Sequence, residues 1–212
     1  MDVIEAIRTR RSVRKFLEVP LAWEVVGNVL DCVRLAPTAG NVQDVRAIVI
    51  IDPDVRGKVA EACYQQYWME KAPVHIILAV DPTKNEQLYG ERGRTRFAAH
   101  DAASVGAMML LVAHNQGLAA CWIGAFDDDQ LRRAVGMPDD VQPHVVLALG
   151  YADEKPQAPL KFGIESLVFI NSYGNRFAHL PELTGEYSRA IEASLRRGKD
   201  LIEKAKKHLQ RV

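Results

Sequence analysis

The sequence predicts a layered α+β sandwich, as one large domain or one domain plus an appendage. Three observations predict it. Five short segments rich in β-branched and aliphatic residues are separated by helical stretches. One of those helices, just after Asp101, is apolar nearly all round and rich in small residues, which marks a buried central helix needing cover on both sides. And 212 residues, 48% hydrophobic and 25% charged, suffice for a real core and are ordinary for a soluble globular chain.

The elements follow in order. Asp2 caps a first helix with Ile4 and Ile7 facing inward, ending near Arg10. Met1–Glu5 therefore reads as a helix start, not a secretory leader. Pro20 opens a second helix whose Val26, Leu30 and Val33 share a face, and Pro37 stops it. APTAGNVQ is a loop, and VRAIVIID (Val45–Asp52) a buried strand. A helix from Asp54 to Glu70 puts Val59, Ala62, Cys63 and Tyr67 on one side. VHIILAVD (Val74–Asp81) is a second buried strand. Residues 82–98 are polar and read as a long loop or helical excursion, of the kind that serves as a lid. Asp101 caps the central helix and Gly117 ends it. AACWIGAF is a third strand, DDDQLRRAVG a short helix closed by Gly136, HVVLALGYA a fourth strand and SLVFINSY a fifth. The fifth is suited to cross to a partner subunit. From Glu186 a charged helix carries a narrow apolar stripe (Tyr187, Ile191, Leu195, Ile202, Leu209) and reads as a solvated helix packed along one seam.

Several functions are set aside. Twenty-seven basic and 27 acidic side chains balance, so no global field draws the chain to nucleic acid or membrane. No apolar run looks long enough to span a bilayer. Cys32, Cys63 and Cys121 have no metal or redox spacing and read as reduced core thiols of a cytoplasmic protein. No Rossmann fingerprint, P-loop, HExxH or GxSxG appears. His100, Asp101 and Ser104 are not placed for a hydrolytic triad.

One stretch stands out against the neutral background. RTRRSVRKF, Arg8–Phe16, packs five cations into nine residues. Arginine forks bind phosphate oxygens bidentately, and a serine hydroxyl fills a remaining position. If the run is extended, Arg10, Ser12 and Arg14 point one way and Arg11 and Val13 the other, while Val13 and Phe16 anchor the segment to the core. The residues by themselves leave two readings equally open, an anion seat and a solvated helix end.

RRSVRKF, APTAGNVQ, GLAACWIGAF and ALGYADEKP occur in that order at these spacings. Together they resemble the flavin-dependent nitroreductase family, from about residue 2 to about residue 175. The resemblance implies a three-layer α/β/α sandwich with a mostly antiparallel five-stranded sheet, in an interlocked homodimer with FMN at the interface. It implies a domain over 1–175 and a mainly helical C-terminal extension over 176–212. Arg10, Arg11 and Ser12 would meet the phosphate and ribityl chain, Lys161 the phosphate, and Arg14 the N1/O2 edge of the ring. Ile123, Gly124 and Ala125 would face N5. Pro37, Thr38, Ala39 and Asn41 would reach the flavin of the other subunit. NAD(P)H is then the co-substrate, in ping-pong exchange with a nitroaromatic, quinone or similar acceptor. No catalytic side chain and no metal is required. Gln65 is a weak further candidate. Gln43-Asp44-Val45 departs from the family pattern, in which a proline and a large aromatic often follow the glutamine, and an Asp44 pointing inward would weaken an anion's surroundings. A reductive dehalogenase on the same fold is one alternative. A flavin-binding regulatory or partner-docking protein, using the basic tail helix, is another.

Overall fold

The computed structural model describes residues 1–176. The chain divides into two compact units, Met1–Ala158 and Pro159–Val212. The charged helix expected from Glu186 lies outside the described residues.

The first unit is built on an antiparallel sheet. Its strands are β1 (Phe16–Leu17), β2 (Val45–Ile50), β3 (Val74–Val80), β4 (Ala119–Ile123) and β5 (Gln142–Ala152). The order is β1-β5-β3-β2, with β4 also paired to β5. β5 is the spine: β3 runs along one edge, β4 pairs with its 146–150 stretch, and β1 pairs with Tyr151 and Ala152. β3 is buried at every position, which is why it reads as a continuous apolar run and not as an alternating one.

Alternate residues of the strands enter two cores. Ile76, Leu78, Leu147 and Leu149 join Val26, Val29, Val105 and Met109. Ile77, Ala79, Val146 and Ala148 join Val59, Met69 and Leu131. The first core is thus shared with α2 (Trp23–Leu30), α3 (Cys32–Leu35) and α6 (Ala98–Asn115). The second is shared with α4 (Pro53–Ala62) and α7 (Asp128–Val135). The remaining helices of this unit are α1 (Val3–Thr9) and α5 (Thr83–Tyr89). Asp127 caps α7, and Gly136 ends it in the left-handed conformation at φ 64°.

Several sequence expectations are corrected. SLVFINSY is not a strand: in the second unit it forms the end of α8 (Ile164–Leu167) and a tight turn bridged by Phe169 and Arg176. The fifth strand is instead Phe16–Leu17, too short for any periodicity to announce it. The helix expected from Asp54 to Glu70 stops at Ala62, because Tyr64 and Gln65 take φ of 56° and 60°. A 3-10 turn, Tyr67–Lys71, follows, and Tyr67 is exposed. Ile4 and Ile7 face outward on α1, where Ala6 is the buried residue. The 82–98 segment is α5 followed by a π-helical turn, Gly93–Phe97, that runs directly into α6. Asp101 therefore lies inside the helix and is not its cap. Gly93–Asn115 is, by length and a mean hydropathy of 1.2, long enough to cross a membrane, against the expectation that no run was. Its inner face packs into the first core instead.

Candidate functional site

The basic stretch begins where α1 ends. Arg10 is the helix C-cap, its N–H still bonded to the Ala6 carbonyl at 3.0 Å, so the chain turns there before extending. Ser12 then pairs in parallel with Ala120, and the Val13 N–H donates to the Ala120 carbonyl at 3.2 Å. Val13 and Phe16 are buried, as their anchoring role requires. This docks the segment onto β4.

The turn at Arg10 changes which side chains share a side. Arg10 and Arg11 both line a cleft of about 490 Å³ with His114, Lys155 and Ala120. The even-numbered alternation expected from Arg10 thus fails at its first step. Arg11 is held by its own helix end, donating from Nη1 to the carbonyls of Arg8 and Arg10 at 2.9 and 2.8 Å. Ser12 lies on the docked run beside this cleft. Arg14 stands apart and exposed, its guanidinium 6.0 Å from the Trp68 ring centroid. The Glu154 carboxylate accepts the backbone N–H groups of Arg14 and Lys15, which pins this run to the end of β5.

β4 leads away from the cleft to a second feature. Ile123 is buried, whereas Gly124 and Ala125 are exposed. Among the described residues neither of those N–H groups donates to a backbone carbonyl. A Cβ on Gly124 would lie 3.4 Å from the Trp122 indole nitrogen, an ordinary van der Waals distance.

The third feature is the Pro37–Asn41 loop. The Ala39 N–H donates to both Asp101 carboxylate oxygens, at 2.9 and 3.1 Å. Thr38 accepts from the Gln43 N–H at 3.1 Å. Gly40 and Asn41 are left-handed, at φ 53° and 56°, and the Tyr89 hydroxyl closes over Gly40. Beneath the loop sits a buried polar node. Asn85 donates from Nδ2 to Asp44 and, at 3.3 Å, to Asp101. Asp44, Asn85 and Asp101 are 2%, 0% and 4% exposed. Burial, and then the charge of Asp101, push the Asp44 carboxyl up to about 6. Asp44 does point inward, but into this node and not into the cleft. Asp101 and Asn85 escaped sequence reasoning because their partners are 62 and 41 residues away. His114 and Lys155 escaped it because neither lies in the basic run.

One chain does not bring all the expected residues together. The Pro37–Asn41 loop is tied to Asp101 in the first turns of α6, whereas Thr9 is hydrogen-bonded to His114 in its last turn at 2.8 Å. Thirteen residues of helix at about 1.5 Å each separate these ends by roughly 20 Å. Lys161 belongs to the second unit and is exposed. Gln65 sits exposed on the left-handed turn after α4.

Comparison with known proteins points one way. A family model described as "Nitroreductase family" matches residues 7–151. A relative from Methanothermobacter thermautotrophicus, whose name includes NAD(P)H nitroreductase, is 32% identical over 160 residues, 74% of this chain and 80% of its own. An FMN reductase (NADPH) from Bacillus subtilis is 26% identical over 175 residues, 74% of this chain and 70% of its own. Among solved structures, a nitroreductase family protein from Clostridium difficile 630 superposes with a TM-score of 0.72. It is 27% identical, and the match covers 81% of this chain and 99% of that one.

Proposed function

The chain belongs to the nitroreductase family, and from that membership we propose that it is an NAD(P)H-dependent oxidoreductase holding FMN in a site shared by two copies. One observation carries the cofactor reading. The start of β4 lines one cleft with Arg10 and Arg11, and just past its far end two exposed residues, Gly124 and Ala125, carry N–H groups without backbone acceptors among the described residues. Five strand steps of about 3.3 Å separate these features by roughly 16 Å, which suits an elongated ligand, anionic at one end and hydrogen-bond accepting at the other. FMN meets that description, and the donor set fits it.

The residues divide the work. Arg10 and Arg11 would grip the phosphate as charge-assisted donors, with Ser12 beside them on the ribityl chain. Ile123 supports the backbone from which Gly124 and Ala125 would donate to the ring. Arg14 would place a cation at the ring edge that gains negative charge on reduction. When bound, FMN supplies hydride acceptance from NAD(P)H and release to a nitroaromatic, quinone or similar acceptor, in ping-pong order. No side chain of this chain need act as nucleophile.

The partner subunit would supply Pro37, Thr38, Ala39 and Asn41. These residues lie roughly 20 Å from Arg10 along α6. A twofold axis crossing α6 sets the Asp101 end of one copy beside the His114 end of the other. The outer face of α6 suits such packing, because Ala103 and Ala107 are small and exposed. On neighbouring α1, Val3, Ile4 and Ile7 are exposed as well. Outward-facing Ile4 and Ile7 are then inward-facing in the dimer, within a three-layer, interlocked assembly. Tyr89 and Phe97, edge to face at 5.1 Å above the loop, would border the acceptor and set its choice.

The test is an absorbance spectrum of the purified chain, followed by NAD(P)H titration with a panel of acceptors. A flavin spectrum that bleaches with NADH or NADPH and recovers with a quinone or nitroaromatic is expected. A preparation that stays colourless after incubation with FMN refutes the proposal.

A further inference from the structure

The cleft beside Arg10 and Arg11 contains a titratable group that neither the basic run nor the family resemblance brings in. His114, in the last turn of α6, lines the same cleft as the two arginines. Its Nε2 lies 2.8 Å from the Thr9 hydroxyl oxygen. That hydroxyl has one proton, and its bond to the Glu5 carbonyl at 2.7 Å uses it. With the hydroxyl proton given to Glu5, we assign Nε2 as the donor to Thr9, so the neutral ring carries its proton there. Nδ1 is the bare nitrogen, and a second proton can add to it without breaking the Thr9 contact.

We propose that His114 is a proton-coupled part of the anion seat: it takes up a proton when a phosphate monoester enters the Arg10–Arg11 cleft, and so adds a third cation. The proposal rests on the FMN reading above, because that reading supplies the monoester.

Electrostatics support it independently of the contact geometry. Without an anion, burial and then the Arg10 and Arg11 guanidiniums hold the imidazole below its usual titration range, partly offset by Glu5. The other charged side chains lining the cleft are Glu154 and Lys155. The Glu154 carboxylate accepts both the Arg14 and Lys15 N–H groups on Oε1, and these neutral donors leave its charge in the cleft. A bound monoester of about −1.5 to −2 charge cancels the repulsion from the two arginines and adds an attraction of its own. Both changes favour the imidazolium. Riboflavin, which has the same ring and ribityl chain but no phosphate, makes neither change.

The test is calorimetric titration of the full chain with FMN and with riboflavin near pH 7, in two buffers of different ionisation heat. The proton number is compared between the native protein and His114→Gln. Expected is a proton uptake with FMN that is greater in the native protein than in the variant by about half a proton, and no such difference with riboflavin. In parallel, the ratio of FMN Kd values, variant over native, should fall from about tenfold near pH 6 towards unity near pH 8. Imidazole NMR of the native protein provides a readout that does not depend on the variant's folding: the His114 midpoint should rise when FMN is bound. FMN binding with equal proton numbers and an unmoved midpoint overturns this inference and leaves the cofactor reading standing. Failure of FMN to bind at all overturns both.

Discussion

The buried carboxyl of Asp44 makes a quantitative prediction about stability. Its folded-state value of about 6 stands above the ordinary 3.8 because burial and the Asp101 charge disfavour ionisation. A carboxyl raised in the fold contributes stability that is complete below the unfolded value and is lost as pH rises through the folded one. Between about pH 4.5 and about pH 7.5 these two values imply a loss of about 2 kcal/mol from this group. The native curve alone will hide it, because His75 pulls the other way. That ring is buried, its Nε2 lies 2.9 Å from the Met69 carbonyl oxygen, and burial lowers it to about 4. Its contribution to stability therefore falls as pH drops below the ordinary histidine range. Asp44→Asn separates the two effects. The amide keeps the shape and an acceptor for Asn85, and it offers Asp101 an N–H in place of a charge. Urea unfolding of the native and variant proteins, with saturating FMN, should show the variant gaining on the native by about 2 kcal/mol between those two pH values. A variant-minus-native difference in unfolding free energy that is flat with pH, or that falls as pH rises, refutes the assignment of a raised carboxyl at Asp44.

Three further predictions concern the site itself. Arg10→Ala should weaken FMN binding by about tenfold or more without moving the flavin potential, whereas Arg14→Ala should shift the midpoint potential as well. Dissociation constants and potentiometry decide it, and unchanged values in both variants would contradict the assignment. Light scattering of the FMN-loaded chain should give a dimer, and a monomer retaining full FMN would remove the partner's loop from the site. Gly40→Ala puts a side chain at φ 53° beneath the Tyr89 hydroxyl. It should cost about 1–2 kcal/mol for the left-handed backbone alone. A thermal melt measures this, and part of the loss should return in a Tyr89→Phe background.

Much of this protein was legible in the amino-acid order because the information was local. Strands β2, β3 and β5 declared themselves as Val-, Ile- and Leu-rich runs, although only Val45 and Ile50 of β2 are buried, and α7 by an acid at one end and Gly136 at the other. The clustering of Arg8, Arg10, Arg11 and Arg14 in a neutral chain left an anion seat and a solvated helix end equally open until the other segments were read with it. Where the local signal misled, a longer-range demand had won. The periodicity from Asp54 to Glu70 did not reveal the left-handed pair Tyr64–Gln65, which folds the chain back so that Met69 enters the second core. Asp101 looked like a cap because an acid before an apolar run usually is one. In the fold it secures a loop 62 residues earlier.

The sequence by itself determined the layered class, the strands of the core and the cationic character of the amino-terminal turn, since each depends on neighbours within a few residues. Only the tertiary structure decided that Arg11 joins Arg10 in one cleft, that His114 stands with them, and that the Pro37–Asn41 loop lies at the other end of α6. Those facts depend on where a helix of 18 residues brings its two ends, and on hydrogen bonds between segments that share no stretch of chain.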